Sequence, residues 1–422
     1  MKCSGVTMTM LAVAVASILL LGGSAMATQP YYVDDLGTLG GAWTRPHGLN
    51  NAGQVVGEAI DASGNCKGFV WTRGVGMQSL GTLGGSESAA YGINDSGTIV
   101  GGAYTAAGLW HGFKYTGGTM SDLGTVMDNS YSNAYAINNA GQIAGVCDVS
   151  NINRQYSAIR WSSAGVISNL GSLGGILGWA YGINSAGNVA GSFTDTTNYT
   201  KGFVYTTSMA DIGLLPGGSY CEAHAINDSG TAVGVADAAS GYTHAFYRNT
   251  GSDLVDMGTL AGGSFSEARG INNSGLIVGR SEISDNNFRG FLYSGSSMLD
   301  LNSLTLVGST ATIYDAWAIN DAGQIAVDFG PPGDTERAGL LTPATPGDAN
   351  LDRAVTFKDY IVLEANFGKS NATWSMGDFN GDGTVTFKDY IALEANFGHS
   401  APEPASISLL ALAWLSRVLR RK

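Results

Sequence analysis

Two short stretches near the C-terminal end of this 422-residue chain carry oxygen-bearing side chains at the spacing of a calcium loop. In the first, loop positions 1, 3, 5 and 12 are Asp348, Asn350, Asp352 and Asp359; in the second they are Asp378, Asn380, Asp382 and Asp389. Calcium takes about six to eight oxygens; alternate loop positions aim them at one centre, and a carboxylate on the following helix closes the shell. Position 7 is Ala354 or Thr384, serving through its carbonyl, and position 9 is Thr356 or Thr386, acting through a water. The expected cofactor is calcium, at two sites. Position 6, at the sharp turn, is Gly383 in the second loop but Arg353 in the first. A side chain there costs about 1 kcal/mol in the left-handed conformation, so the first site is expected to bind more weakly.

A helix must follow each loop. Phe357, Tyr360, Ile361 and Glu364 to Phe367 lay an apolar face at i, i+3, i+4 spacing. The unit repeats after 30 residues, from Gly347–Gly368 to Gly377–Gly398. So small a module is expected to fold only with metal bound. Thr342-Pro343-Ala344-Thr345-Pro346 reads as a linker, so chelation is expected to melt residues 347–398 and leave the rest intact.

The rest is a different repeat. Seven times, at intervals of 43 to 48 residues, an Ile or Leu precedes Asn, two turn residues, Gly and an apolar pair. The anchors are Leu49, Ile93, Ile137, Ile183, Ile226, Ile271 and Ile319. Each repeat carries four β-like segments. The first ends in Ile-Asn, the second follows the Gly turn, the third reads like Gly112-Phe113-Lys114-Tyr115, and the fourth ends in Leu-Gly-Thr-Leu-Gly-Gly, as at Leu80 to Gly85. Four short strands per repeat is the period of a propeller blade. Tyr31 to Leu39 is a fourth-type segment with no blade before it, and the last repeat stops after its third, Ala338 to Leu341. The predicted fold is therefore all-β, a seven-bladed β-propeller closed by the N-terminal strand, followed by a small α calcium-binding domain. Closure of this kind removes the free edges that invite aggregation.

Two slots vary in informative ways. Two residues before the anchor stand His47, Tyr91, Tyr135, Tyr181, His224, Arg269 and Trp317. Around a closed ring they would occupy equivalent places on the innermost strand, either wedging blades together or stacking on sugars. Before the third strand stand Lys67, His111, Ser157, Lys201, His244, Arg289 and Arg337, either an anionic-glycan surface or charges paired with carboxylates such as Glu282 or Asp237. No catalytic residues are assigned: there is no GxSxG or HExxH, and the carboxylates Glu222 and Glu267 are repeat-equivalent.

Composition agrees with β structure, with 62 Gly and only 13% charged residues. Net charge −13 and a pI near 4.7 exclude nucleic acid as a partner. Cys66, Cys147 and Cys221 form no CxxC or Cys/His cluster and read as three buried thiols, with one bridge plus a free thiol as the alternative. Residues 1–27 read as a signal peptide, with Lys2, the apolar run Met10 to Leu21, and Ala25-Met26-Ala27 as cleavage site. Cys3 falls within it. At the other end, Pro402-Glu403-Pro404 precedes an apolar run, Ala405 to Leu415, and the basic residues Arg417, Arg420, Arg421 and Lys422.

These features resemble three known patterns. The triplet, apolar run and basic end of residues 401–422 resemble the PEP-CTERM sorting signal, which implies a Gram-negative-type envelope, recognition by an exosortase, and delivery to the cell surface or extracellular matrix. Residues 28–345 resemble HAF repeats; His244-Ala245-Phe246 stands in the third-strand slot. That resemblance implies secretion and transfers no catalytic residues. Residues 347–398 resemble a type I dockerin, which implies a cohesin-like partner met through Phe357, Lys358, Phe387 and Lys388. These apolar and basic pairs depart from the hydroxyl pairs common in cellulosomal dockerins. The reading is an exported, surface-sorted, non-catalytic binding or scaffolding protein that contacts extracellular polysaccharide. The alternatives are a carbohydrate-active enzyme tethered by its dockerin and a purely structural matrix protein.

Overall fold

A computed structural model describes residues 29–400, except 151–154, 176, 285–286 and 332–336. The signal-like segment and the sorting-like tail lie outside the described residues.

The repeats form seven sheets, or blades, around one axis, antiparallel except for one edge pair in the seventh. Blade 1 is Gly40–Leu49, Val55–Asp61, Cys66–Thr72 and Gly76–Ser79, paired in sequence order, and blades 2 to 6 repeat it. The third strands carry the wholly buried Phe69, Phe113, Phe203, Phe246 and Phe291. Core clusters straddle neighbouring blades: Leu36, Phe69 and Trp71 pack with Ala326, Ala338 and Leu340. Second-strand glycines such as Gly57 and Gly191 are a steric demand, since an added Cβ would sit 2.0 Å from the Arg45 or Trp179 carbonyl oxygen. The turn glycines Gly53 to Gly323 all have positive φ, as the Asn-x-x-Gly spacing predicts.

Two details differ from the sequence reading. In blade 1 the fourth strand ends before the Leu-Gly-Thr-Leu-Gly-Gly stretch: Gly76–Ser79 precedes Leu80, and the next inner strand begins at Gly84. The stretch is a blade-to-blade crossing whose Leu36 and Leu80 are buried plugs, while in blade 3 the buried Leu170 still belongs to the strand Ile167–Gly171. Blade 7 also has five strands. Tyr31–Asp35 pairs antiparallel with Arg337–Pro343, from Tyr31 opposite Pro343 to Asp35 opposite Gly339. Leu306–Val307 then adds parallel to Tyr31 and Tyr32.

The Asn of each turn does more than shape the turn. Asn50 Nδ2 donates to the Asn94 carbonyl (3.0 Å), Asn94 to Asn138, Asn138 to Asn184, Asn184 to Asn227, Asn227 to Asn272, Asn272 to Asn320, and Asn320 back to Asn50 (3.0 Å). The seven amides make a closed collar at one end of the axis. Six of the seven following residues add a second tier, in which a backbone N–H donates to the Asn or Asp side chain of the next blade; the Asn139-to-Ser185 link is missing because serine lacks the reach.

The C-terminal module holds α1 (Phe357–Asn366) and α2 (Phe387–Asn396), related by an approximate twofold. Val355 exchanges backbone hydrogen bonds with the segment after α2, and Val385 with the segment after α1. Residues 342–346 do not separate the module from the propeller. Thr342 and Pro343 lie in blade 7, and Ala344 donates its N–H to the Pro30 carbonyl. Tyr32, on the propeller's first strand, is buried in one core with Ala349, Val355, Leu363, Trp374, Val385 and Leu393.

Candidate functional site

The loop carboxylates at positions 1 and 12 are buried: Asp348, Asp359 and Asp389 are wholly inaccessible and Asp378 is nearly so. Local structure explains the placement. Thr356 and Thr386 are helix N-caps, and Asp359 and Asp389 complete capping boxes, accepting the backbone N–H of Thr356 (2.8 Å) and Thr386 (2.9 Å). Asp348 and Asp378 each accept backbone N–H groups from the far side of their loops. Among the described residues no cationic side chain pairs with any of these four carboxylates. Burial, and then the charge of Asp359, raise Asp348; burial, and then Asp389 and Asp382, raise Asp378. Burial beside a like charge, with no cationic side chain opposite, disfavours the ionised form and is the cause of both shifts. Asp352 and Asp382 turn outward to Lys358 and Lys388, 3.6 Å away in each loop. Among the described residues no three His, Cys, Asp or Glu side chains close into one metal cluster. Asn350 and Asn380, the Ala354 and Thr384 positions, and the Thr356 and Thr386 hydroxyls complete the oxygen-bearing residues around each loop.

Arg353 has φ +69°, the left-handed turn expected of position 6. Its guanidinium lies over the Tyr32 ring (4.4 Å) and bonds Asp34 (3.0 Å), which Arg73 also holds (2.6 Å). The Tyr32 hydroxyl donates to Asp348. The first loop is thus clamped to the propeller by the residue that strains it, and the second loop, with Gly383, is not.

Beyond the loops, Phe357 and Phe387 are 64% and 63% exposed, flanked by exposed Ile361, Phe367, Ile391 and Phe397. Lys358 and Lys388 are exposed beside them. The module therefore presents two matching apolar and basic faces.

On the propeller, the slot two before the anchor is brought together around the axis. Each of its residues is the unpaired position of a β-bulge, as where Ala134 and Ala136 pair with blade 3's second strand and Tyr135 does not. His47, Tyr91, Tyr181, His224, Arg269 and Trp317 sit on the same irregularity. A bulge re-aims a side chain, here into a shallow axial cavity of about 240 Å³. The rings touch in series: Trp317 to His47 (4.9 Å), then Tyr91, Tyr135, Tyr181 and His224, with Arg269 over Trp317 (3.9 Å). No residue type marks the bulges in the sequence.

The cationic slot does not form an open surface. His111 pairs with Asp122, Lys201 with Asp195, His244 with Asp256 and Arg337 with Asp35, while Lys67 and Arg289 meet backbone carbonyls. The partners are mostly fourth-strand aspartates.

Searches for relatives add fold alone. No family model matches the chain, and no curated protein matches it. A solved puromycin hydrolase superposes with a TM-score of 0.51 at 11% identity, over 74% of this chain and 54% of its own. A puromycin-hydrolysing peptidase of Mycobacterium tuberculosis gives 0.47 at 11%, over 74% and 53%. The propeller domain of the trilobed protease of Pyrococcus furiosus gives 0.46 at 5%, over 71% and 97%. The chain spans about half the length of the puromycin-hydrolysing proteins it matches. The fold is a seven-bladed β-propeller.

All three cysteines of the described residues are free, Cys147 and Cys221 buried and Cys66 half-buried. Burial pushes Cys221 up to about 12; burial and then the Glu58 charge push Cys66 to about 12; burial also raises Cys147. With raised pKa values the thiols stay protonated at pH 8. Iodoacetamide at that pH is expected to leave all three unmodified in the native protein over a time in which urea-unfolded chains react fully. Rapid native labelling of Cys147 or Cys221 would refute the packing described.

Proposed function

We propose that this chain is an exported, non-catalytic scaffold, in which a propeller platform that contacts extracellular polysaccharide is joined to a calcium-dependent docking module. The observation that carries the reading is the duplication in the module: two loops with buried, cation-less carboxylate pairs, each followed by the same exposed apolar and basic face. Calcium would be held by Asp348, Asn350, Asp352, Ala354, Thr356 and Asp359 in the first loop, and by Asp378, Asn380, Asp382, Thr384, Thr386 and Asp389 in the second. It would supply charge neutralisation in each loop, and the helices would then hold Phe357, Lys358, Phe387 and Lys388 toward a cohesin-like partner. The twofold permits that partner to bind in either of two orientations. The in-register pairing of Tyr31–Asp35 with blade 7 supports the N-terminal strand as the latch of the ring. The sequence of residues 1–27 and 401–422 supports export and sorting.

Titrating chelator-stripped full-length protein with calcium in a calorimeter tests this. Two equivalents are expected for the parent, and one for Asp378→Ala/Asp389→Ala. No heat, or heat that survives substitution in both loops, overturns the calcium reading. Assays for sugar release should show no turnover; turnover abolished by one carboxylate substitution would sink the non-catalytic half.

A further inference from the structure

The propeller breaks its own symmetry in one sector. In each blade, the residue four before the anchor lies directly opposite one on the second strand. In blades 2, 3 and 4 these pairs are Ala89 with Gly102, Asn133 with Val146, and Trp179 with Ser192. In blades 6, 7 and 1 they are Glu267 with Arg280, Asp315 with Asp328, and Arg45 with Glu58. Only there is each member of the pair charged. Blades 2 to 4 show that the fold does not require it, and burying charge is costly unless something is gained. Asp315 and Asp328 are two buried carboxylates directly opposed across strands, an arrangement that destabilises a sheet on its own.

What they hold is a set of guanidiniums. Asp315 takes Arg269 Nε through both oxygens at 3.0 Å, and Glu267 takes Arg280 at 3.1 Å. Arg280 is also stacked on Phe265 and Phe288, 5.4 and 5.0 Å from the ring centres. Arg45 meets Glu58 at 3.7 Å and Asp328 at 3.9 Å. The layering is decisive. The Asp315 and Asp328 side chains are 9% and 4% exposed, whereas Arg280 and Arg45 are 34% and 36% exposed. Acid lies beneath and guanidinium faces outward.

These groups line a cavity of about 380 Å³ between blades 6, 7 and 1, within the ~300–1,000 Å³ usual for small-ligand sites. Phe288 and Trp317 supply apolar wall, and the Asn287 amide stands at the same cavity. The Tyr314 hydroxyl is buried in the lining and has no hydrogen-bond partner among the described residues. We propose that this cavity binds an acidic sugar residue of a polysaccharide, its carboxylate on Arg45 and Arg280 and a ring hydroxyl on Tyr314. A planar guanidinium fork suits a carboxylate, and aromatic wall suits a pyranose face. The proposal rests on the reading of the propeller as a polysaccharide-contacting platform and places the contact off the axis.

The test is calorimetric titration of the full chain with hexagalacturonate and with its methyl ester, which has the same shape without the charge. The acid should bind, the ester should bind at least tenfold more weakly, and affinity should fall as salt rises. Arg45→Gln and Arg280→Gln should each cost about tenfold or more. Tyr314→Phe, which removes one oxygen and keeps the packing, should cost severalfold, so the site stays testable even if an arginine variant fails to fold. Equal binding of the ester, or no binding of the acid, overturns the proposal. Binding that survives all three substitutions but is lost in Tyr91→Ala overturns the pocket while sparing the platform reading and assigns the contact to the axial ring.

Discussion

Removing calcium from the intact protein should unfold residues 347–398 and also release the outer edge of blade 7. The linker reading of residues 342–346 leads to a different expectation, an untouched propeller. The difference lies in Tyr32. This residue belongs to the first strand of the propeller, yet it is 1% exposed and packs among Ala349, Val355, Leu363 and Trp374. Burying an aromatic side chain of this size is worth about 1.5–3 kcal/mol. When the module melts, that stabilisation is lost, together with the Tyr32 bond to Asp348 and the Arg353 bond to Asp34. Among the described residues, the strand carrying Tyr32 has only Arg337–Pro343 and the two-residue Leu306–Val307 beside it.

Hydrogen exchange with and without chelator would measure this. Protection should vanish across 347–398, fall about tenfold or more in 31–35, as expected for a local loss above ~1.4 kcal/mol, and stay constant in blades 2 to 5. Arg353→Gly separates the two roles of loop position 6. Glycine removes the left-handed strain but also the clamp on Asp34 and Tyr32. The first loop should then gain calcium affinity while 31–35 exchanges faster even in calcium. Retained protection in 31–35 after full melting of the module would show that the two domains are energetically independent.

The blade count was legible because a turn that needs a positive φ must repeat its Gly, and the anchor Ile must repeat its burial. The fourth-type segment at Tyr31 and the missing one after Leu341 are legible in the same way, and Tyr31–Asp35 pairs with Arg337–Pro343. The axial ring could be located but not oriented: its seven residues share a slot, but their approach to the axis depends on bulges, which are backbone irregularities without a residue signature here. The charged sector is only half legible: its opposed pairs, such as Glu267 and Arg280, face each other within one hairpin, but Arg45 and Asp328 lie 283 positions apart and meet only across blades. Glu222 and Glu267 are repeat-equivalent, but Arg280 answers Glu267 whereas Val235 faces Glu222. The contact between Tyr32 and the C-terminal module has no local signal at all. The asparagine collar did have one. A turn of this kind accepts Asp as readily as Asn, and yet all seven positions are Asn.

Replacing one collar asparagine should therefore destabilise the propeller far beyond the loss of a surface turn. In Asn138 the side-chain oxygen accepts the Gln142 N–H (2.9 Å), while the amide donates to Gln142 Oε1 (2.9 Å) and across to the Asn184 carbonyl (3.0 Å). Asn138 is 5% exposed, so neither of the backbone partners regains water freely. Asn138→Ala strands both and should cost about 2–4 kcal/mol, since each unsatisfied buried group costs ~1–3 kcal/mol. Asn138→Asp is the sharper test. It keeps the acceptor that shapes the turn but sets a carboxylate against the Asn184 carbonyl and loses the donor. If the residue served only its turn, Asp would be nearly neutral. If the collar carries load between blades, Asp should be at least as damaging as Ala at pH 7, and the deficit should shrink at acid pH, where a protonated carboxyl can donate to the Asn184 carbonyl again. Denaturant midpoints of the two variants at pH 7 and pH 4, each taken relative to the parent at the same pH, would decide it. An aspartate variant as stable as the parent at pH 7 would reduce the closed ring of amides to seven independent turns.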